Sequence, residues 1–216
     1  MAQRVAGTPL EPLLGWAGFH GQRILVRPGV FVPRRRTELL VIEALALLGP
    51  GDVVVDLCCG SGAVGTALLA GSEPIELYLS DIDEAATACA ALNVGGRATV
   101  LTGDLFAALP AALLGRVNVL VANAPYVPTA AIETMPPEAR LHEARVALDG
   151  GDDGLDVQRR VVADAPRWLS PSGTLLIETS ERQADALARL FRASALVPRI
   201  VRSEELDATV VAGGFA

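Results

Sequence analysis

Val53-Val54-Val55-Asp56-Leu57-Cys58-Cys59-Gly60-Ser61-Gly62 is the stretch on which the fold turns. Three consecutive β-branched apolar residues, with no polar alternation, predict a strand buried on both faces, as in a parallel sheet covered by helices. Glycines follow directly, and Ala63 to Ala70 has the composition of a helix. A strand that turns through glycines into a helix offers close backbone approach and free N–H groups at one sheet edge. Gly60, Gly62 and Gly65 match the GxGxxG pattern. Asp81 lies about twenty residues on, at the end of the next strand (Ile75 to Leu79), where a carboxylate can hold ribose hydroxyls. With Ile82 beside it, this arrangement predicts a site for an adenosine-bearing ligand. The plain alternative is a tight strand-to-helix turn with a solvated Asp.

Outward from that turn the alternation continues. Glu84 to Leu92 reads as a helix capped by Asp83 and stopped near Gly95-Gly96. Ala98–Leu101, Val117–Val121 and Thr174–Ile177 read as strands. Helices are expected over Leu155–Trp168, disturbed at Pro166, and over Arg182–Arg192. Two last strands, near Arg199–Arg202 and Ala208–Ala212, have no helix between them and predict a terminal antiparallel pair. Upstream, Leu39, Leu40, Ile42, Leu45 and Leu48 recur at helical spacing from Thr37 to Gly49-Pro50. Before Thr37 the chain is rich in Gly, Pro and Arg, with a hairpin expected about His20-Gly21. The reading is an α/β doubly wound domain over residues 37–216, preceded by a linker and β-hairpin extension over residues 1–36. The segment Pro125–Gly154 is too long for a bare connector and is expected to carry small elements or function.

Bulk properties narrow the classes. A chain of 216 residues needs neither metal nor disulfide to fold. A net charge of −7 argues against tight nonspecific binding to nucleic acid, which depends on neutralising phosphates. Every strongly basic side chain is Arg, which removes lysine Schiff-base chemistry. Cys58, Cys59 and Cys89 with two His show no metal-ligand spacing, so no metal is expected. Free thiols, no apolar leader after Arg4 and no long apolar run predict a cytoplasmic chain without membrane spans.

Asp56 stands ahead of the glycines, where a carboxylate suits a cationic ligand better than a pyrophosphate. That favours S-adenosylmethionine over a nicotinamide cofactor. Asp104, Leu105 and Phe106, after the third strand of the pattern, are candidates for adenine contacts; a helix N-cap is the alternative for Asp104. Asn123-Ala124-Pro125-Tyr126 ends the fourth strand. An amide nitrogen is a poor nucleophile because its lone pair is delocalised. An Asn oxygen and a backbone carbonyl near Ala124 can accept both of its N–H bonds and aim it, while Tyr126 packs on the planar group. Alignment of this kind is worth roughly 7–11 kcal/mol.

These motifs together resemble the HemK/PrmC family of protein-glutamine methyltransferases. The resemblance runs from Arg4-Val5-Ala6-Gly7-Thr8-Pro9-Leu10 through Gly29–Arg34, Thr37-Glu38, the glycine loop and Asn-x-Pro-Tyr. It continues through Ala147–Asp156 and Gly173–Glu178 with Gln183. It implies a class I, Rossmann-like S-adenosylmethionine-dependent methyltransferase fold, seven-stranded with the last strand antiparallel. It implies that Asp56, Leu57, Cys58, Cys59, Gly60, Gly62, Asp81, Ile82, Asp104 and Leu105 hold the cofactor, with Thr37, Glu38 and Asn123 beside it. It implies that Asn123, Ala124, Pro125, Tyr126 and Arg34 receive a glutamine of a protein, such as a peptide-chain release factor, and that S-adenosylhomocysteine is the product. Family members carry an N-terminal helical domain, and this chain begins where that domain ends, as in a trimmed chain or in a short form with another substrate.

The chain departs from the family at Cys58, for a usual Gly, and at Ala124, for the first Pro of the motif. Arg35-Arg36 replaces a frequent Pro-acid pair; Arg34-Arg35-Arg36 reads as a solvated turn or as a docking patch. Three other readings stay open: an adenine or cytosine amino-methyltransferase, a nicotinamide oxidoreductase resting on the glycines, and an S-adenosylmethionine-binding paralogue without turnover. His142, Trp168 and Glu178 read as surface, core and structural residues in turn.

Overall fold

The computed structural model describes residues 9–216. The Arg4–Thr8 part of the resemblance lies outside the described residues. A short helix α1 (Leu10–Leu14) leads into an antiparallel hairpin, β1 (Trp16–Phe19) and β2 (Gln22–Leu25), with Phe19 opposite Gln22. His20 and Gly21 both take positive φ, 45° and 72°, as a two-residue turn between right-twisted strands requires. A 3-10 turn, Arg35–Thr37, runs into α2 (Glu38–Leu45). This helix stops three residues before the Leu48 expected from the spacing, in turns that lead to Gly49-Pro50.

The main sheet is built from β3 (Val53–Leu57), β4 (Glu76–Asp81), β5 (Thr99–Thr102), β6 (Val117–Ala122), β7 (Leu169–Thr179), β8 (Val197–Ser203) and β9 (Ala208–Gly214). Their order across the sheet is β5-β4-β3-β6-β7-β9-β8, with β9 antiparallel to both neighbours and every other pairing parallel. This is the expected class I arrangement. The helices are α3 (Ala63–Gly71), α4 (Glu84–Val94), α5 (Pro137–His142), α6 (Asp156–Trp168) and α7 (Glu181–Ala193). Asp83 caps α4, accepting from Ala85 N at 2.9 Å, and Gly95 ends it with φ 58°.

Alternate side chains of the sheet enter two cores. One holds Val54, Leu79 and Val121 with α2, α3, α4 and the hairpin residues Phe19 and Ile24. The other holds Val55, Leu120 and Ile177 with α6 and α7. Two further elements differ from expectation. Strand β7 begins at Leu169 rather than Thr174, because a register shift between Val117 and Val119 takes up Ser170–Gly173, residues that read as a loop. Helix α6 continues through Pro166, which removes one i→i−4 hydrogen bond two residues before the helix ends at Trp168. The segment after β6 carries α5 and two 3-10 turns, Thr129–Thr134 and Arg145–Ala147. Among the described residues no helix is long and apolar enough to cross a membrane.

Candidate active site

The chain winds outward from β3 through β4 to β5, then crosses back to β6 on the other side of β3. At such a switch point the connections leave the strand ends in opposite directions and open a cleft. The cleft here is lined from β3 and its glycine turn by Asp56, Cys58, Cys59 and Gly60, and from β4 by Asp81 and Ile82. The segment after β5 adds Asp104 and Leu105, and the end of β6 adds Asn123, Ala124, Pro125 and Tyr126. Arg34 and Thr37 close it from the N-terminal side. The tertiary structure therefore gathers most of the residues singled out from the sequence. Three lie outside the lining. Leu57 is wholly buried among the strands. Glu38 turns toward the hairpin and accepts from His20 N at 3.0 Å. Gly62, with φ 74°, lets α3 approach α4: a Cβ there would stand 2.9 Å from that of Ala90.

Carboxylates hold the glycine turn in shape. Asp81 accepts from Gly60 N at 2.9 Å through one oxygen and from Asp83 N at 3.0 Å through the other. Asp56, 2% exposed, accepts from Gly65 N at 3.0 Å. Its burial lifts the carboxyl to about 7; the Gly65 N–H opposes the rise and the Asp81 charge adds to it. Cys58 takes φ 56°, a left-handed conformation that costs an L-residue roughly 1–2 kcal/mol and explains why Gly is the usual occupant. Burial, and then the charges of Asp81 and Asp56, pushes the Cys58 thiol up; burial does the same to Cys59. The upward shift disfavours the thiolate, the nucleophilic form, at both positions.

After β5, Asp104 makes no cap hydrogen bond; it pairs with Arg160 at 2.6 Å. Leu105 lines the cleft, whereas Phe106 turns away to stack on Trp168 at 5.5 Å between ring centres, which corrects Phe106 as an adenine contact. The basic triplet splits. Arg34 grips Glu143 at 2.6 and 2.8 Å and lies over the Phe31 ring. Arg35 meets Glu205 at 3.5 Å in solvent. Arg36 turns inward to Glu178. Arg34 and Arg36 both line the cleft, whereas Arg35 points to solvent.

The Asn-Ala-Pro-Tyr turn is held from several sides. Asn123 Nδ2 donates to Thr37 Oγ1 at 3.2 Å. Tyr126 donates its hydroxyl to Glu178 Oε1 at 3.2 Å, and its carbonyl accepts from Gln183 Nε2 at 3.0 Å. Val127 N donates to the Leu148 carbonyl at 3.1 Å, and Gly150 N donates to that of Val127 at 2.8 Å. These contacts supply stiffness that a proline at Ala124 would otherwise add. The inward contacts of Arg36, Glu143 and Glu178, and the close approach at Gly154, were not read from the sequence. The available signal for Glu178 was its place at the carboxyl end of a central strand.

Gly154 has φ 76°, and a Cβ there would collide with the Tyr126 carbonyl and Gln183 Nε2. Gly154→Ala is expected to destabilise the fold by about 3 kcal/mol, from left-handed strain and displacement of this turn. Thermal melts check it; an unchanged midpoint would show that the turn yields freely.

The family model "Methyltransferase small domain" matches residues 22–153. The chain is 37% identical over 194 residues to a release factor glutamine methyltransferase of Geobacter sulfurreducens, covering 88% of this chain and 67% of that protein. It is 34% identical to the 4-amino-L-phenylalanine/4-methylamino-L-phenylalanine methyltransferase of Streptomyces pristinaespiralis, covering 89% and 68%. Among solved structures, the release factor-specific protein-(glutamine-N5) methyltransferase of Alicyclobacillus acidocaldarius has a TM-score of 0.52 at 24% identity, covering 86% of this chain and 95% of that one.

Proposed function

Because this chain belongs to the release factor glutamine methyltransferase family, the HemK/PrmC family that its motifs resemble, we propose that its acceptor is a glutamine side-chain amide in a peptide-chain release factor. The chain is an S-adenosylmethionine-dependent methyltransferase. The cleft fits that cofactor: Asp56 is a buried carboxyl in its lining, disfavoured as an anion chiefly by burial, and a cationic ligand group beside it would favour the charged form. Asp81 at the end of β4 would take the ribose hydroxyls, and Ile82, 54% exposed, and Leu105 line the same cleft and would offer apolar surface to adenine. Bound there, the cofactor supplies an electrophilic methyl group on a sulfonium.

The observation that carries the reading is the state of Asn123. Its Nδ2 is committed to Thr37, which leaves Oδ1 as an acceptor for an incoming N–H. The carbonyl of Ala124, a residue 1% exposed, is the second acceptor. Two acceptors hold a planar NH2 group in one orientation and favour the positive charge that develops as the N–C bond forms. The nitrogen then gives up a proton to water, and no strong base is needed. Tyr126, fixed by Glu178 and Gln183, forms the wall against the amide plane. Three free thiols and the absence of a spanning helix among the described residues accord with a cytoplasmic enzyme working on a translation factor.

The experiment is transfer of labelled methyl from S-adenosylmethionine to a release factor bearing its Gly-Gly-Gln loop, with 4-amino-L-phenylalanine and single-stranded DNA as competing acceptors. Label on the loop glutamine is the expected result. Label on the aromatic amine or on DNA, with none on the release factor, overturns the proposed acceptor.

A further inference from the structure

We propose that Asn93 is a positioning residue through which the N-terminal β-hairpin holds the glycine turn in its cofactor-binding shape. The inference rests on the reading of that turn as the place where S-adenosylmethionine sits. Asn93 lies half-buried in the last turn of α4, two residues before Gly95. Its side-chain amide joins three parts of the chain. Oδ1 accepts from Leu25 N, at the end of β2, at 2.8 Å. Nδ2 donates to the Leu25 carbonyl at 3.0 Å and to the Ser61 carbonyl, inside the glycine turn, at 2.8 Å. Asn93 thus pairs with the edge of β2 as a partner strand would, and directs its other N–H to the turn. One turn earlier on the same helix, Cys89 Sγ donates to the Leu25 carbonyl at 3.3 Å.

Ser61 is where such a hold matters. It is 3% exposed, lines the cleft, and stands between Gly60 and Gly62, with φ 55° and 74°. A peptide beside a glycine can rotate at little steric cost. Rotation of the Ser61–Gly62 peptide would turn the Ser61 carbonyl away from Asn93 and break the hydrogen bond that Gly62 N donates to the Cys59 carbonyl at 2.8 Å. Asp81 holds the turn from the end of β4, at Gly60 N; Asn93 holds it from α4, at the Ser61 carbonyl. A buried carbonyl left without its donor is destabilising, so loss of Nδ2 favours the rotated turn. The hairpin enters because it orients the amide. With Leu25 N donating to Oδ1 and the Leu25 carbonyl accepting from Nδ2, the Asn93 amide has one orientation, and its remaining N–H meets Ser61.

Two variants cut the link at different points. Asn93→Asp keeps an acceptor for Leu25 N but sets a carboxylate against the Ser61 carbonyl; Leu25→Pro removes the hairpin's N–H and leaves Asn93 in place. Each is expected to raise the S-adenosylmethionine dissociation constant about 5- to 20-fold, by calorimetry well below its melting midpoint. Exchange of the Gly62 N–H, followed without cofactor in nitrogen-15 spectra, is expected to quicken in both while the β3 amides stay slow. With an acceptor that the wild type methylates, KM for S-adenosylmethionine rises by the same factor and kcat stays within about twofold. Equal quickening in β3 would mean a general loosening of the fold and overturns the inference. Asp81→Asn separates the inference from the reading beneath it. A raised dissociation constant in Asp81→Asn, with a wild-type value in Asn93→Asp or in Leu25→Pro, overturns the inference and keeps the cofactor turn. A wild-type value in all three removes the turn as the cofactor site and the inference with it.

Discussion

Asn123→Ala is expected to lower kcat for methyl transfer about 10²- to 10³-fold while S-adenosylmethionine affinity stays within about twofold. The reason lies in what each neighbour already does. Cofactor-side contacts come from the ends of β3 and β4, where Asp81 ties Gly60 and Asp83, and none of these hydrogen bonds involves Asn123. Asn123 stands at the end of β6, beside Thr37. Its loss leaves the incoming amide with one acceptor, the Ala124 carbonyl, and free to rotate out of line with the methyl group. An interaction that strengthens only as charge develops on nitrogen lowers kcat when removed and leaves ground-state binding nearly unchanged. Asn123→Asp keeps an acceptor and is expected to retain more of the rate than alanine. Single-turnover transfer, with cofactor titration on the same preparations, measures both quantities. An undiminished rate in Asn123→Ala, or a fall in cofactor affinity that matches the fall in rate, would refute the assigned role.

Asp56 is expected to make both cofactor affinity and the stability of the free protein depend on pH. Its carboxyl moves from 3.8 to about 7 on folding, chiefly through burial. A carboxyl raised in the folded state contributes its full stability below the unfolded pKa and loses it as pH rises through the folded one. The free protein thus loses up to about 4 kcal/mol from this group between about pH 4 and pH 7, at 1.36 kcal/mol per unit. A cationic group of the cofactor opposite Asp56 reverses the preference and favours the anion. Affinity for S-adenosylmethionine is then expected to weaken by up to about tenfold per unit as pH falls below about 7, with proton release on binding near pH 6. Calorimetry in two buffers of different ionisation enthalpy detects those protons, and Asp56→Asn should abolish both the release and the stability slope. A dissociation constant that stays flat between about pH 5 and pH 7, with no proton release, would mean that no cationic group faces Asp56.

Much of this architecture was legible residue by residue. The Val53–Val55 run and the glycines after Asp56 specify a buried strand turning into a helix, because backbone sterics and side-chain period act locally. Asp83 and Gly95 mark the two ends of α4 for the same reason. Asn123-Ala124-Pro125-Tyr126 was recognisable as a motif, since an amide-binding turn needs those residue types in sequence. Other features were decided only when distant segments met. Gly62 reads as a ligand-contact glycine, yet its constraint comes from Ala90, on another helix. Glu38 reads as part of the entrance, yet the hairpin claims its carboxylate. Arg34-Arg35-Arg36 reads as a solvated turn or a docking patch, yet the fold pairs these side chains with Glu143, Glu205 and Glu178, each far away in the chain. Glu178 acquires its partners from elsewhere in the chain: Tyr126 donates to it from the turn after β6, and Arg36 meets it from the N-terminal segment. Strands, turns and caps are set by interactions within a few residues and can be read from sequence. Burial, the partner of a charge and the orientation of an amide depend on which long-range contacts close around a side chain, and these were decided by the tertiary structure alone.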